Sequence, residues 1–285
     1  MGKYRKILVA FDGSDSSRNA LRQAIKFARE EQCWIKVISV APSFEGELDL
    51  TGVRNLRDAL RGPAEKVLAD ALQIAEGERA SIMTGLEEGP PHERIVDVAE
   101  TENCDLIVMG RRGRGGLEQT LLGSTAARVI GHTRKDVLIV PKNTQLSWDG
   151  ILLCTDGSKF SEVAARHALN FAGSYGGNLR IISVVEITDE LFAEAPELYD
   201  RLIDKYKGVL EGLKKEADRA GVNATVSIKE GEPARKIIEE AREQKAGVIF
   251  MGSHGRTGLM RLLMGSTTEK VIGSAPCPVI VVKPE

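Results

Sequence analysis

Few features of this sequence suggest a metal centre or a disulfide framework. Its 285 residues include four cysteines, and these form no C-x-x-C pair. The cysteines lie mostly in or beside apolar runs, which favours buried thiols over disulfides or metal ligands. The four histidines show no metal-ligand spacing either. The sequence therefore predicts neither a metal site nor disulfide crosslinks.

Long apolar runs and net charge are also lacking. No stretch approaches the roughly 20 apolar residues that a membrane-spanning helix needs. The formal net charge is -2, from 39 basic and 41 acidic residues, so no whole-chain field favours nucleic acid or an anionic membrane. The chain start leads into a strand-like run instead of a signal peptide. We therefore expect a soluble, cytoplasmic protein with no nucleic acid and no membrane partner.

The sequence does contain a long internal repeat. Residues 7–14 read ILVAFDGS and recur as ILLCTDGS at residues 151–158. Residues 105–110 read DLIVMG and recur as GVIFMG at residues 247–252. Because the segments keep the same order in both halves, the chain is predicted to be a duplication of one domain. A polar stretch at 142–147 suits a linker, which gives domains at residues 1–145 and 146–285.

Each half alternates short β-branched runs with longer amphipathic segments. This alternation is typical of βαβ units with a parallel sheet. We predict an α/β fold: two doubly wound domains, each a five-stranded parallel sheet with strand order 3-2-1-4-5. The predicted strands are 5–11, 34–40, 79–84, 105–109 and 137–140, then 150–154, 179–185, 223–229, 247–251 and 278–283.

A spaced glycine pattern follows the fourth predicted strand of each half. Glycine directly after a buried strand permits a positive φ and lets a ligand approach the main chain without meeting a Cβ atom. Gly-Ser before an amphipathic segment predicts a helix start capped by Ser124 or Ser266, where free N–H groups favour phosphate. The candidate phosphate-binding residues are Gly110, Gly113, Gly123, Ser124 and Thr125, then Gly252, Gly255, Gly265, Ser266 and Thr267.

An aspartate ends the first predicted strand of each half. Asp12 and Asp156 each precede Gly-Ser, where an aspartate is commonly a turn former. In the predicted strand order, strands 1 and 4 are neighbours and the chain leaves them in opposite directions, which opens a ligand crevice at their carboxyl ends. We therefore expect Asp12 to share a crevice with Gly110 and Gly113. We expect Asp156 to share the equivalent crevice with Gly252 and Gly255.

These motifs resemble those of the universal stress protein family. Its ATP-binding members carry G-x2-G-x9-G-[S/T] after strand four, and both halves match it without a gap. The ending APCPVIVV at residues 275–282 is also typical of the family, whereas the first half departs there with RKDV at 134–137. The resemblance covers almost the whole chain. It implies a tandem protein with an adenine-nucleotide-hydrolase-like fold.

The resemblance also implies a ligand and roles for the candidate residues. The ligand would be ATP, with Mg2+. Asp12 and Asp156 would contact the adenosine, and the main chain around Val40 and Val184 would read the adenine edge. The motif glycines, with the Ser-Thr pairs that follow them, would take the phosphates. No catalytic residue is implied, and the predicted function is that of a nucleotide-dependent regulator or binding module in stress response.

The two loops differ in charge. The first contains Arg111, Arg112 and Arg114, and the second offers His254 and Arg256. Such side chains are commonly solvated, but here they flank a predicted anion site and would contribute modestly to phosphate binding.

Two other functions stay open at this point. Residues 12–17 read DGSDSS, a loose match to the S-G-G-x-D-S loop of ATP-pyrophosphatases, but the first position differs and no G-x4-G-K-[S/T] loop occurs. Dedicated catalysis is therefore disfavoured, while slow ATP hydrolysis stays open. The other alternative is a scaffold without nucleotide, against which two intact glycine motifs argue.

The fifth strand of each half is predicted to be an apolar sheet edge. Residues 137–140 and 279–282 would leave backbone groups free to pair with another edge. Single-domain members of the family commonly dimerise through this strand, and a short linker raises the effective concentration of its partner to the order of millimolar. We therefore expect an intramolecular pseudo-dimer of the two halves, with homodimerisation through other surfaces left open.

Overall fold

The computed structural model describes residues 4–43, 56–114, 122–186, 196–255 and 264–284. The chain divides into two compact units, Met1–Asn143 and Thr144–Glu285. Each unit is a parallel sheet with helices on both faces, so the predicted doubly wound α/β class is confirmed.

The first unit has the strand order β3-β2-β1-β4-β5, with every described pairing parallel. The chain alternates strand and helix throughout the described residues. Its elements are β1 (Lys6–Ala10), α1 (Asp15–Glu31), β2 (Trp34–Ala41), α2 (Leu56–Gly77), β3 (Met83–Glu88), α3 (Pro91–Thr101), β4 (Leu106–Gly110), α4 (Ser124–His132) and β5 (Asp136–Val140).

The second unit repeats this order as β8-β7-β6-β9-β10. Its elements are β6 (Gly150–Cys154), α5 (Lys159–Tyr175), β7 (Asn178–Val185), α6 (Pro196–Arg219), β8 (Ala224–Glu230), α7 (Pro233–Glu243), β9 (Val248–Gly252), α8 (Ser266–Ser274) and β10 (Val279–Val282).

Local sequence fixes the first helix of each unit in the same way. The side chain of Ser14 caps α1 by accepting a hydrogen bond from the Ser17 N–H, and Gln32 follows the last turn of α1 in the left-handed conformation. The side chain of Ser158 caps α5 through the Ser161 N–H, and Gly176 ends that helix at φ 67. Serine at the N-cap and a left-handed residue after the last turn satisfy backbone groups that a helix leaves unpaired.

The predicted third strand of the first unit, at residues 79–84, is wrong in position. Helix α2 continues to Gly77, Arg79 then adopts φ 53, and the strand begins at Met83. Strand β3 is the sheet edge beside β2, and Met83 keeps 43% of its surface exposed. An edge strand needs little apolar surface, so an apolar pattern marks its position poorly.

Candidate functional site

Strands β1 and β4 are neighbours, and the chain leaves them toward different helices. Their pairing runs from Ile7 with Leu106 to Ala10 with Met109. Strand β1 leads into α1, whereas the described helix that follows β4 is α4. This divergence opens a crevice at the carboxyl ends of the two strands. Strands β6 and β9 are neighbours in the same way in the second unit.

The aspartate and the second motif glycine of each unit lie in direct contact. A Cβ atom added to Gly113 would lie 2.7 Å from the Asp12 Oδ2 atom. A Cβ atom added to Gly255 would lie 2.9 Å from the Asp156 Oδ2 atom. These positions therefore admit no side chain unless the aspartate moves.

The Asp12 carboxylate is held by hydrogen bonds from two loops. Its Oδ1 atom accepts from the Ser14 N–H at 3.0 Å and from the Ser14 hydroxyl at 2.6 Å. Its Oδ2 atom accepts from the Arg114 N–H at 3.0 Å. Burial by itself raises the pKa of this carboxyl, but the hydrogen bonds from Ser14, Ser17 and Arg114 outweigh burial and hold the pKa below its ordinary value. Asp12 is therefore an oriented, ionised carboxylate that ties the β1 loop to the glycine loop.

We expect Asp12→Asn to destabilise the first unit by about 1–3 kcal/mol at neutral pH, because the amide NH2 cannot accept the hydrogen bond that one carboxylate oxygen accepts now. A carboxyl with a lowered folded pKa stabilises the fold above about pH 4, and that contribution is lost as the pH falls through the folded pKa. The melting temperatures of parent and variant should therefore converge on acidification. A gap that stays constant from about pH 7 to about pH 3 would contradict the role given to the carboxylate.

Gly110 and Gly252 owe their identity to helix packing. A Cβ atom on Gly110 would lie 2.7 Å from the Ser16 carbonyl carbon and from the Ser17 nitrogen. A Cβ atom on Gly252 would lie 2.7 Å from the Phe160 Cβ atom and 2.8 Å from its carbonyl carbon. The first turn of α1 or α5 thus rests on the end of the fourth strand, and only glycine permits that approach.

The glycines after the fourth strand do not use the positive φ that glycine permits there. Among the residues that the structure describes, the positive-φ glycines do not include any of the six in the loop motif. Gly13 and Gly157, which directly follow the aspartates, have φ 73 instead. The first two glycines of each motif are needed for close approach instead, and the left-handed turn belongs to the aspartate loop.

Helices α4 and α8 begin differently from the prediction. Gly123 and Gly265 are the N-caps, and Ser124 and Ser266 are the first helical residues. The expected serine caps are wrong because each serine is one position too far into the helix, with its side chain exposed. No side chain caps either helix within the described residues. The N–H groups of these first turns are thus left for another acceptor, such as an anion.

A main-chain hydrogen bond closes the base of each glycine loop. The Gly123 N–H donates to the Arg111 carbonyl at 3.0 Å, and the Gly265 N–H donates to the Ser253 carbonyl at 2.9 Å. Each bond holds the helix start against the beginning of its loop. The first, second and third motif glycines are thereby gathered at one place, although the residues between them lie partly outside the described ranges.

The second unit contains a cavity of about 390 Å³ at this crevice. That volume lies in the range typical of small-molecule sites. Its walls are polar toward the glycine loop and the end of β6, and mainly apolar toward the end of β7 and toward α6 and α7. All seven second-half candidates line it: Asp156, Val184, Gly252, Gly255, Gly265, Ser266 and Thr267.

Val40 and Val184 occupy equivalent positions near the ends of their strands. The last pair between β1 and β2 joins Ala10 to Ile38, and β2 then continues to Ala41. Val40 therefore lies where β2 extends beyond β1, with its side chain half-buried. Val184 is half-buried as well, and it lines the cavity of the second unit.

The first unit concentrates positive charge at its glycine loop. Burial, together with the charge of Arg112, lowers the pKa of the Arg111 guanidinium. The Arg112 Nε atom is buried and has no hydrogen-bond partner within the part of the chain that the structure describes. The Arg114 side chain folds over Gly13. Adjacent guanidinium groups with an unsatisfied donor suit an anionic ligand. His254 lies in the second loop, and Arg256 lies outside the described residues.

Comparison with known proteins decides the family. The universal stress protein family matches the chain twice, over residues 3–141 and 148–283. This chain belongs to the universal stress protein family. A universal stress protein of Mycolicibacterium smegmatis is 28% identical over 291 residues, covering 98% of this chain and 97% of that protein.

Two further comparisons agree with the tandem organisation of this universal stress protein. The universal stress protein MJ0531 of Methanocaldococcus jannaschii is 38% identical over 146 residues, which is 50% of this chain and 86% of that protein. The crystal structure of a universal stress protein from Archaeoglobus fulgidus superposes with a TM-score of 0.74 at 27% identity, covering 98% of this chain and 96% of that one. The predicted tandem universal stress protein is therefore confirmed.

Sequence reasoning missed part of the wall of the second cavity in this universal stress protein. Thr155, Tyr206, Ile237 and Met251 all line it. Thr155 and Met251 adjoin motif residues and could have been found by proximity. Tyr206 lies on α6, for which no sequence motif marked a role.

No helix in the described ranges is both long and apolar enough to cross a bilayer.

Proposed function

We propose that each unit of this universal stress protein binds one adenine nucleotide, and that the bound nucleotide regulates the protein in the response to stress. The observation that carries the proposal is the cavity of the second unit, where all seven candidate residues meet beside an uncapped helix start. Family membership supports the stress-response role.

The cavity of the second unit has complementary surfaces for the parts of a nucleotide. Ile182, Val184, Ile237 and Met251 offer an apolar wall for a base. The Asp156 carboxylate can accept hydrogen bonds from ribose hydroxyls. The first-turn N–H groups of α8 suit phosphate oxygens, since helix N-termini carry free donors and the positive end of the helix dipole. In this arrangement the nucleotide would run from the apolar wall to the glycine loop.

The first unit offers the same elements with more positive charge. Asp12 contacts the Gly113 position, and Gly123 begins α4 without a side-chain cap. The buried Arg112 Nε atom is a donor that a phosphate oxygen would satisfy. Because both units retain these elements, we propose two nucleotides for each chain.

Mg2+ would enter with the nucleotide. The residues that the structure describes contain no cluster of three or more His, Cys, Asp or Glu side chains able to hold a metal ion. Mg2+ commonly keeps several waters and binds through substrate phosphates with one or two carboxylates. When bound, the ion would neutralise phosphate charge, while the protein would hold the nucleotide through its own N–H groups and guanidinium groups.

Identification of the molecule that copurifies with the protein tests the proposal. The protein would be purified without added nucleotide and denatured, and the released small molecules identified by mass spectrometry. We expect an adenine nucleotide, because the cavity combines an apolar wall, a carboxylate and a free helix N-terminus. A molecule without a base or phosphate, recovered in stoichiometric amount, would contradict the proposal.

A further inference from the structure

The cavity of the second unit has an aromatic wall. Tyr206 lies on α6, keeps 6% of its surface exposed, and lines the cavity beside Leu202. Ile182 and Ile237 line the same cavity. Asp156 and Gly255 line it as well, with the uncapped start of α8. Tyr206 is therefore an aromatic group among the lining residues of a cavity that also offers a carboxylate and an anion site.

The equivalent position in the first unit is not aromatic. Val67 of α2 lies 3.3 Å from a Cβ atom placed on Gly13, and Val209 of α6 lies 3.2 Å from one placed on Gly157. These matching contacts put the two helices in the same register against equivalent glycines. Three residues before each valine stand Ala64 and Tyr206, both buried.

The two units also differ at the residue before the aspartate, where the first unit has the larger side chain. Residue 11, directly before Asp12, is a buried phenylalanine, and the equivalent Thr155 is smaller and lines the cavity. The Thr155 hydroxyl donates to the Ser161 hydroxyl at 3.0 Å. The large ring is thus carried by the strand end in the first unit and by helix α6 in the second.

We propose that Tyr206 presents its ring to the base of the nucleotide in the second unit, and that the two units therefore recognise the base differently. This inference rests on the proposed nucleotide binding. An aromatic face attracts any nucleobase by stacking. The free energy of this contact is larger than that of the contact between a base and an aliphatic side chain. Tyr206 thus raises the affinity of the second unit for a nucleotide through its base, whereas Ala64 offers no ring in the first unit.

The experiment measures ATP affinity in the second unit alone. Every variant in the series would carry Gly113→Glu, which is expected to abolish nucleotide binding in the first unit. Calorimetric titration with Mg-ATP would then measure binding at the site of the second unit. Tyr206→Leu removes the ring but keeps an apolar side chain of comparable bulk, and Tyr206→Phe keeps the ring. Tyr175→Leu is the matched control, because Tyr175 stacks on Trp148 in the same unit and does not line the cavity. Melting temperatures would show that each variant is folded.

We expect Tyr206→Leu to weaken ATP binding about 10-fold. Tyr206→Phe and Tyr175→Leu should bind within about 2-fold of the Gly113→Glu parent, since each keeps the ring at position 206. The inference is overturned if folded Tyr206→Leu binds like that parent, or if Tyr206→Phe loses as much affinity as Tyr206→Leu. If the Gly113→Glu parent itself binds no ATP, the proposed function fails for the second unit, and with it this inference.

Discussion

Gly255→Glu is expected to abolish nucleotide binding in the second unit and to leave binding in the first unit intact. A Cβ atom at this position lies 2.9 Å from the Asp156 Oδ2 atom, so the new side chain must displace that carboxylate. It also places a second negative charge at the proposed phosphate site, where like charges repel strongly. Together these effects should weaken binding by about 100-fold or more, since juxtaposed like charges at a binding surface commonly cost several kcal/mol.

Calorimetric titration would show this effect as a fall from two ATP sites to one. Gly113→Glu should give the mirror result, because its Cβ atom would lie 2.7 Å from the Asp12 Oδ2 atom. Gly212→Glu is the matched control, since position 212 lies on α6 with open space around it. If Gly255→Glu kept both sites at parental affinity, the assignment of the phosphates to this loop would be wrong.

Gly252→Ala is expected to lower the stability of the second unit strongly. The added Cβ atom would lie 2.7 Å, 2.8 Å and 2.9 Å from three atoms of Phe160, two of which belong to its backbone. Overpacking of this kind typically costs about 1–3 kcal/mol, because the helix start must move away from the strand. Gly110→Ala should act in the same way on the first unit, through the backbone at Ser16 and Ser17.

Differential scanning calorimetry without nucleotide would measure this loss as a lower melting temperature. Gly212→Ala is again the control, and it should raise the stability of α6 by about 1 kcal/mol, the difference in helix propensity. If Gly252→Ala had the same melting temperature as the parent, the close packing of α5 on β9 would not be the reason that position 252 requires glycine.

The fold could be predicted from sequence because its strongest signals are local and occur twice. Helix α1 runs from Asp15 to Glu31, and a serine cap and an amphipathic run in the local sequence specify it. The buried strands β1 and β4 are short apolar runs, which is typical of parallel strands covered on both faces. Because these segments occur in the same order in both halves, each half supports the assignment of strands and helices in the other.

Other features depend on tertiary structure and could not be predicted in the same way. Strand β3 was misplaced because an edge strand carries little apolar pattern. The need for Gly110 and Gly252 comes from helices that are distant in sequence, and so does the place of Tyr206 in the cavity wall. A sequence pattern can mark a glycine, but the atoms that exclude its side chain are known only when the chain is folded.

Pairing of the two fifth strands within one chain stays a prediction. Expression of residues 1–145 and 146–285 as separate proteins tests it by sedimentation, alone and mixed. Paired edges predict dimers or mixed complexes of the halves. Halves that stay monomeric at high concentration, and that do not associate with each other, would contradict it.

Calorimetric titration of the intact chain with Mg-ATP tests whether the two units bind adenine nucleotide. Both units retain the aspartate, the close-approach glycine and the uncapped helix start, so we expect saturable binding of two ATP molecules to each chain. A stoichiometry near one would assign binding to a single unit. A folded protein that gives neither heat nor a thermal shift with ATP at about 1 mM, which corresponds to a binding free energy of about -4 kcal/mol, would contradict the nucleotide-binding function.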